Sequence, residues 1–201
     1  MPSLPANQKA RIPLLQLGAL PFFIALMTMS PSFWHDGSDT VEYLGVAFVL
    51  LCVAGRMWST LYIGARKNRE LVTIGPYSMS RNPLYFFSML GAAGIGLFVG
   101  SLVLAVTLAL FVYLVLAATA GKEAAHLEML FGEQYRAYER QTPMFLPRPS
   151  LYREAGDVTF SPVALKRTFL GGLLFFAALP AIELIEWLKE TDTIPILFHL
   201  L

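Results

Sequence analysis

The sequence predicts an all-α integral membrane protein, and three observations predict it. Apolar residues make up 56% of the 201 residues and charged ones only 14%, against about 25% charged in an ordinary globular domain. The apolar residues fall in runs long enough to cross a bilayer, whose core of about 30 Å takes roughly 20 helical residues. The few charges lie between those runs and segregate to one side of them. This pattern excludes a disordered chain, a nucleic-acid-binding arm and a typical cytosolic enzyme. Residues 1–201 read as a single membrane domain of about five transmembrane helices plus an amphipathic helix at the cytoplasmic face.

The elements follow in order. Ile12–Met29 is the first span, interrupted by Gln16 and two prolines, which membrane helices tolerate. It is longer than the apolar core of a signal peptide, and Met27-Thr28-Met29 is a poor cleavage site. Tyr43–Gly64 is the second span. Leu84–Gly100 and Leu102–Ala120 are the third and fourth, joined tightly enough to form a helical hairpin. Beyond them, Leu127, Leu130, Phe131, Tyr135 and Tyr138 recur at helical spacing with Glu128, Glu133, Arg136, Glu139 and Arg140 between them. That pattern predicts an amphipathic helix lying on the membrane or over the mouth of the bundle. Thr168–Leu188 is the fifth span, with Pro180 inside it, and the apolar tail Ile194–Leu201 is too short to cross.

Charge placement orients the bundle. With the N-terminus in the cytoplasm, thirteen of the fifteen basic residues fall inside, while Asp36, Asp39, Glu42, Glu190 and Asp192 fall outside. This obeys the positive-inside rule and suits a prokaryotic inner membrane. The inner segments Ala65–Asn82 and Gly121–Arg167 are the long ones, and they mix aromatic, charged, Gly and Pro residues. Function is therefore expected at the cytoplasmic face.

Within these segments, Gly75-Pro76 and Asn82-Pro83 are rigid turns that bring Tyr77, Arg81, Asn82 and Tyr85 towards one place at the membrane surface. Glu123 lies at the membrane boundary, where a carboxylate is costly without a partner. Arg56 lies within the second span, roughly 12 Å from its inner end at 1.5 Å per residue. Such an arginine is expected to face the bundle interior, as a site for an anionic substrate group. Gly94-Ile-Gly96 lacks the strand and βαβ setting of a dinucleotide fingerprint. The glycines suit close helix packing, with Gly96 and Gly100 as a GxxxG pair, or room for a ligand against the backbone. One cysteine, Cys52, and three scattered histidines lead us to expect no metal site.

Gly75-Pro-Tyr77, then Arg81-Asn-Pro-Leu-Tyr85, then Glu123 with Leu127, Phe131-Gly132, Tyr135 and Tyr138, closed by Pro143 and Pro147, resemble the isoprenylcysteine carboxyl methyltransferases. These belong to a wider group of membrane methyltransferases that includes the phosphatidylethanolamine N-methyltransferases. The resemblance covers residues 56–147, leaving the span at 168–188 as an extra C-terminal helix. It implies S-adenosylmethionine as cofactor, held in a cytoplasm-facing pocket roofed by the C-terminal segment. By position it places the cofactor contacts at Tyr62, Arg69, Glu70, Leu71, Val72, Tyr77, Asn82, Pro83, Leu84, Tyr85 and Glu123, with Gly94 and Gly96 as counterpart of a Gly-x-Gly in the phospholipid enzymes.

Asn82 stands where many members have histidine. The acidic pair often seen in the second motif is reduced to Glu123-Ala124, and Thr119 stands where eukaryotic members carry a substrate-binding arginine. Arg56 is a candidate to replace that cation. The expected activity is methyl transfer to a lipophilic acceptor entering from the bilayer, with Glu123 and Arg56 as the catalytic pair and a prenyl- or lipid-like carboxylate as acceptor. The alternatives are a phospholipid-type N-methyltransferase, an NADPH-dependent reductase of the sterol-reductase type, and a non-catalytic membrane scaffold.

Overall fold

The computed structural model describes residues 29–31, 39–66, 69–154, 156–191, 193 and 198–200. Among the described residues six helices and one 3₁₀ turn carry the fold: α1 (Asp39–Ile63), α2 (Pro76–Met79), α3 (Pro83–Phe98), α4 (Leu102–Phe131), α5 (Glu133–Gln141), the turn Pro149–Leu151 and α6 (Pro162–Glu190). Two three-residue strands, Met29–Pro31 and Phe198–Leu200, pair in parallel with Met29 opposite Phe198. The protein is an all-α membrane protein. Among the described residues α1, α4 and α6 are long and apolar enough to cross a membrane. Of the expected first span, Ile12–Met29, all but Met29 lies outside the described residues, as do Lys67 and Asn68.

α3 is the central element. Its 16 residues reach only about 24 Å at 1.5 Å per residue, less than the roughly 30 Å of a bilayer core. It packs along α1 most extensively, then along α4, and also touches α6, which lies mainly against α1. Small residues permit this closeness. A Cβ at Gly94 would lie 2.8 Å from the carbonyl oxygen of Gly45, and one at Gly91 would meet Cys52 Sγ and Phe175. Gly96 abuts the backbone of Ala105 on α4. A Cβ at Gly100, the other glycine of the pair read from the sequence, would meet nothing within 4 Å, and Gly100, with φ 77°, forms the turn into α4. Ser101 caps that helix, its hydroxyl oxygen accepting from the Leu104 amide at 3.2 Å.

α4 differs from the sequence reading. It was expected to end at Ala120 and be followed by a separate amphipathic helix, yet it continues unbroken to Phe131. Lys122, Glu123, Ala124 and Ala125 are good helix formers, and nothing among them stops the helix. The break comes at Gly132, whose φ of 52° is a left-handed value that glycine adopts freely. The expected amphipathic helix is thus divided: its first half extends α4, and its second half is α5, turned across the end of the bundle.

Two apolar clusters hold the ends together. Val99, Ile182 and Ile185 pack with Ile95, Phe98 and Leu104 where α3, α4 and α6 converge. At the opposite end Tyr85, Leu116, Ala120 and Phe145 are buried with Leu84, Met89, Val112, Ala117 and Met144. That second end carries Arg66, Arg69, Arg81, Arg136, Arg140, Arg148, Arg153, Lys166 and Arg167, and is called the basic end below.

Candidate active site

The site is built on the turn before α2. Gly75 has φ 59° and ψ −135°, a conformation open in practice to glycine alone. A Cβ there would also fall on the ring of Tyr62. Pro76 starts the short helix, and Ser78 Oγ donates back to the Gly75 carbonyl at 2.7 Å. Trp58 stands edge-on to Tyr62 with ring centres 6.5 Å apart, and Tyr152 lies 6.3 Å from Trp58. This aromatic floor fixes the turn and directs Tyr77 inward, where it is 5% exposed.

A strap from Pro143 to Arg153 closes over the turn. The amides of Arg81 and Asn82 donate to the carbonyls of Pro143 and Met144 at 2.8 and 3.1 Å, and the Arg148 amide donates to Met79 at 3.0 Å. Ser80, fully buried, donates its hydroxyl to the Phe145 carbonyl at 2.9 Å. Gly75 donates its amide to the Arg153 carbonyl at 2.8 Å. Phe145 anchors the strap in the apolar cluster with Tyr85 and Leu116. Polar backbone that would be costly to bury is satisfied by these bonds, so the strap seals the end of the bundle.

Beneath it lies a tyrosine–glutamate cluster. Tyr85 donates its hydroxyl to Glu123 Oε2 at 2.7 Å, which joins the first turn of α3 to α4 and gives the boundary carboxylate a partner. Tyr138, on α5, donates its hydroxyl to the Tyr77 carbonyl at 2.7 Å. The Tyr77 hydroxyl itself is buried and meets no hydrogen-bond partner among the described residues. Burial pushes the Tyr77 phenol well above the ordinary tyrosine value, and the nearby Tyr138, Glu123 and Tyr85 push the same way. Burial likewise raises Tyr138, with Arg81 opposing it. Both phenols are therefore neutral near pH 7.

One turn further along α3, Ser88 accepts from Arg56 Nη1 at 2.7 Å. The guanidinium sits over the Phe175 ring of α6, 5.7 Å from its centre, so Arg56 does face the interior. α3 thus ties Glu123 at one level and Arg56 at the next. Arg81, by contrast, turns outward to Tyr135 at 3.3 Å and to Glu139.

The residues singled out in the sequence divide accordingly. Tyr77, Tyr85 and Glu123 come together, and Arg56 lies one turn away along α3. Asn82 gives its amide N–H to the Met144 carbonyl at 3.1 Å, Pro83 is buried at the start of α3, and Leu84 packs on the cluster. Tyr62 supports Gly75. Val72 is buried and Leu71 half-buried, whereas Arg69 and Glu70 are exposed, Glu70 facing Arg66 at 3.6 Å. Gly94 and Gly96 stand more than ten residues along α3 from Pro83, about 16 Å or more at 1.5 Å per residue. The room their missing side chains leave is taken by α1 and α4 backbone.

Ser80, Ser88, Phe145 and Phe175 join the site without having been singled out. Tyr138 joins it too, named in the sequence for the amphipathic pattern and the family motif but given no role there. Among the described residues no group of three or more His, Cys, Asp or Glu could hold a metal ion.

Residues 16–134 match the profile of the phospholipid methyltransferases. The chain belongs to the phospholipid methyltransferase family. The family is thus the wider group of which the carboxyl methyltransferases were read as one branch. The matched stretch takes in α1 to α4 and therefore Arg56, Tyr77, Tyr85 and Glu123; most of α5, the strap and α6 lie beyond it. Two curated relatives resemble most of the chain. The cobalt-zinc-cadmium resistance protein CzcN of Cupriavidus metallidurans is 37% identical over 165 residues, covering 81% of this chain and 76% of the relative. The nickel-cobalt-cadmium resistance protein NccN of Alcaligenes xylosoxydans xylosoxydans is 34% identical over 174 residues, covering 86% and 81%. No solved structure matches.

Proposed function

We propose that this membrane protein transfers the methyl group of S-adenosylmethionine to a lipophilic acceptor that reaches the site from the bilayer. The observation that carries the reading is the buried Tyr77 hydroxyl, without a hydrogen-bond partner among the described residues, beside the Tyr85–Glu123 pair. Buried polar atoms are nearly always hydrogen-bonded, so a ligand atom at Tyr77 completes the cluster. The donor set fits a sulfonium: Glu123 supplies negative charge, and the neighbouring tyrosine rings supply faces that attract a cation. When bound, S-adenosylmethionine supplies an electrophilic methyl carbon, on which a new bond forms as the carbon–sulfur bond breaks and its electron pair returns to sulfur.

The chain's own residues align and enclose. Tyr85 orients the Glu123 carboxylate, and Tyr138 holds the backbone that presents Tyr77. The strap excludes water. Alignment of donor and acceptor is the main catalytic need of such a displacement. Arg56, braced by Ser88 and Phe175, places a positive charge one turn deeper, which suits a carboxylate-bearing acceptor. A carboxylate is ionised at neutral pH and needs no base. An amine must first lose a proton, and neither Tyr77 nor Tyr138 is a phenolate near pH 7. We therefore favour O-methylation of a lipid-like carboxylate over N-methylation of a phospholipid amine. Glu123 and Arg56 are the catalytic pair in this reading. Tyr62, Leu71, Val72, Tyr77, Asn82, Pro83, Leu84 and Tyr85 form or support the cofactor side. Gly94 and Gly96 serve helix packing.

The basic end faces the cytoplasm of a prokaryotic inner membrane in this account, as the positive-inside rule requires. The names of the two relatives suggest exposure to cobalt, cadmium or nickel as the condition under which the product is needed. The test gives methyl-labelled S-adenosylmethionine to membranes from metal-exposed cells with and without the protein, then extracts lipid. Label that appears only with the protein and is released by mild alkali as volatile methanol is expected, because methyl esters hydrolyse. Label that stays non-volatile after alkali would replace O-methylation with N-methylation, and no lipid-borne label would reject a lipid-like acceptor.

A further inference from the structure

The basic end holds a second concavity, beside the tyrosine–glutamate cluster. A cleft of about 200 Å³ opens between the segment before α2, α5 and the strap, with Thr73, Ser78, Tyr138, Gln141, Thr142 and Arg153 among its walls. It is smaller than the roughly 300–1,000 Å³ of a pocket for a drug-sized ligand, and suits a fragment of amino-acid size. The lining offers hydroxyls, an amide and a guanidinium, with no carboxylate. Its occupant should be polar and anionic.

Arg153 is set in place by its backbone. Its amide donates to Ser78 Oγ at 2.9 Å and its carbonyl accepts from the Gly75 amide at 2.8 Å. The residue is thus pinned across the same turn that presents Tyr77. Its guanidinium is exposed and reaches Gln141 Oε1 at a long 3.5 Å. Tyr138 is the wall shared by the two places: it lines the cleft, while its hydroxyl holds the Tyr77 carbonyl. A molecule with a cationic centre and an anionic end could therefore engage both, the cation at Glu123 and the anion at Arg153.

We propose that this cleft receives the amino-acid end of the methyl donor, with Arg153 pairing the α-carboxylate, which the fork of a guanidinium can bind through two hydrogen bonds. The assignment rests on the reading of S-adenosylmethionine as cofactor. Arg153 lies beyond residue 134, where the family match ends, so the contact belongs to the strap.

The test is calorimetric binding to the full chain in phosphatidylcholine nanodiscs. Its ligands are S-adenosylmethionine, S-adenosylhomocysteine and methylthioadenosine, which keeps the nucleoside thioether and lacks the amino-acid end. Arg153→Gln should weaken the first two by about tenfold, the scale of a charged hydrogen bond, and leave methylthioadenosine unchanged. Arg153→Lys should recover part of the loss. Arg148→Gln, exposed on the same strap, should alter none of the three.

Equal weakening of all three ligands by Arg153→Gln would assign Arg153 to strap folding and overturn the site, as would no weakening at all. A lipid phosphate offers the same anionic chemistry as the carboxylate. If the Arg153 effect disappears in phosphatidylglycerol nanodiscs, a headgroup is the occupant and the proposal fails. Failure of the wild-type protein to bind any of the three ligands overturns the cofactor reading together with the site.

Discussion

At the scale of single residues, the site holds two phenols whose ionisation burial opposes. Tyr77 and Tyr138 both have folded values above the ordinary tyrosine value. Below that value, near pH 10, both phenols are protonated folded and unfolded alike, and their contribution to stability is complete. As pH rises above it, the unfolded chain loses protons that the folded protein keeps, so stability falls by about 1.4 kcal/mol per pH unit for each tyrosine. Melting midpoints in detergent should therefore be insensitive to these groups up to about pH 9 and should decline beyond pH 10. Tyr138→Phe should start lower at neutral pH, having lost a hydrogen bond worth about 1 kcal/mol, and then decline less steeply. A variant that declines as steeply as the parent would show that Tyr138 is not protected in this way.

At the scale of elements, the turn before α2 is the part most sensitive to sequence. Gly75→Ala places a side chain in a glycine-only conformation, at a cost of about 1–3 kcal/mol, and displaces the Tyr62 ring beneath it. Its melting midpoint should fall, whereas Gly121→Ala, in open space on α4, should be neutral or stabilising by up to about 1 kcal/mol. Equal midpoints for the two variants would refute the geometry of the turn.

Much of this architecture is legible in the sequence because glycine, proline and apolar runs act locally. Tyr43–Gly64 overruns α1 by one residue and Leu84–Gly100 overruns α3 by two, while Thr168–Leu188 lies within α6, and the two turns that gather Tyr77 and Tyr85 can be read from their dipeptides. The strap is not legible. Its bonds join Ser80, Arg81 and Asn82 to the backbone carbonyls of Phe145, Pro143 and Met144, and a carbonyl leaves no mark in the identity of its residue. Ser88 and Phe175 are hidden for a related reason, since both meet Arg56 through tertiary packing of separate helices. The Gly-x-Gly motif suits packing and ligand binding alike, because a missing side chain can admit a ligand or a backbone; α1 and α4 backbone lies against Gly94 and Gly96.

At the scale of the whole molecule, a net charge of +1 conceals a polar division between a basic end that carries the site and an opposite end rich in carboxylates. The short central α3 joins the parts. Its first turn engages Glu123 on α4, its second engages Arg56 on α1, and its last packs against α6. Family membership accounts for α1 to α4, while the strap and α6 complete the enclosure from outside the matched region. In the proposed function the Tyr77–Tyr85–Glu123 cluster binds S-adenosylmethionine. Equilibrium binding of that molecule to the purified chain in nanodiscs tests it most directly. Saturable binding is predicted, weakened about tenfold or more by Glu123→Gln and by Tyr77→Phe, with the melting midpoint of each variant confirming that it is folded. No saturable binding by folded wild-type protein, or undiminished wild-type affinity in both variants, would contradict that assignment.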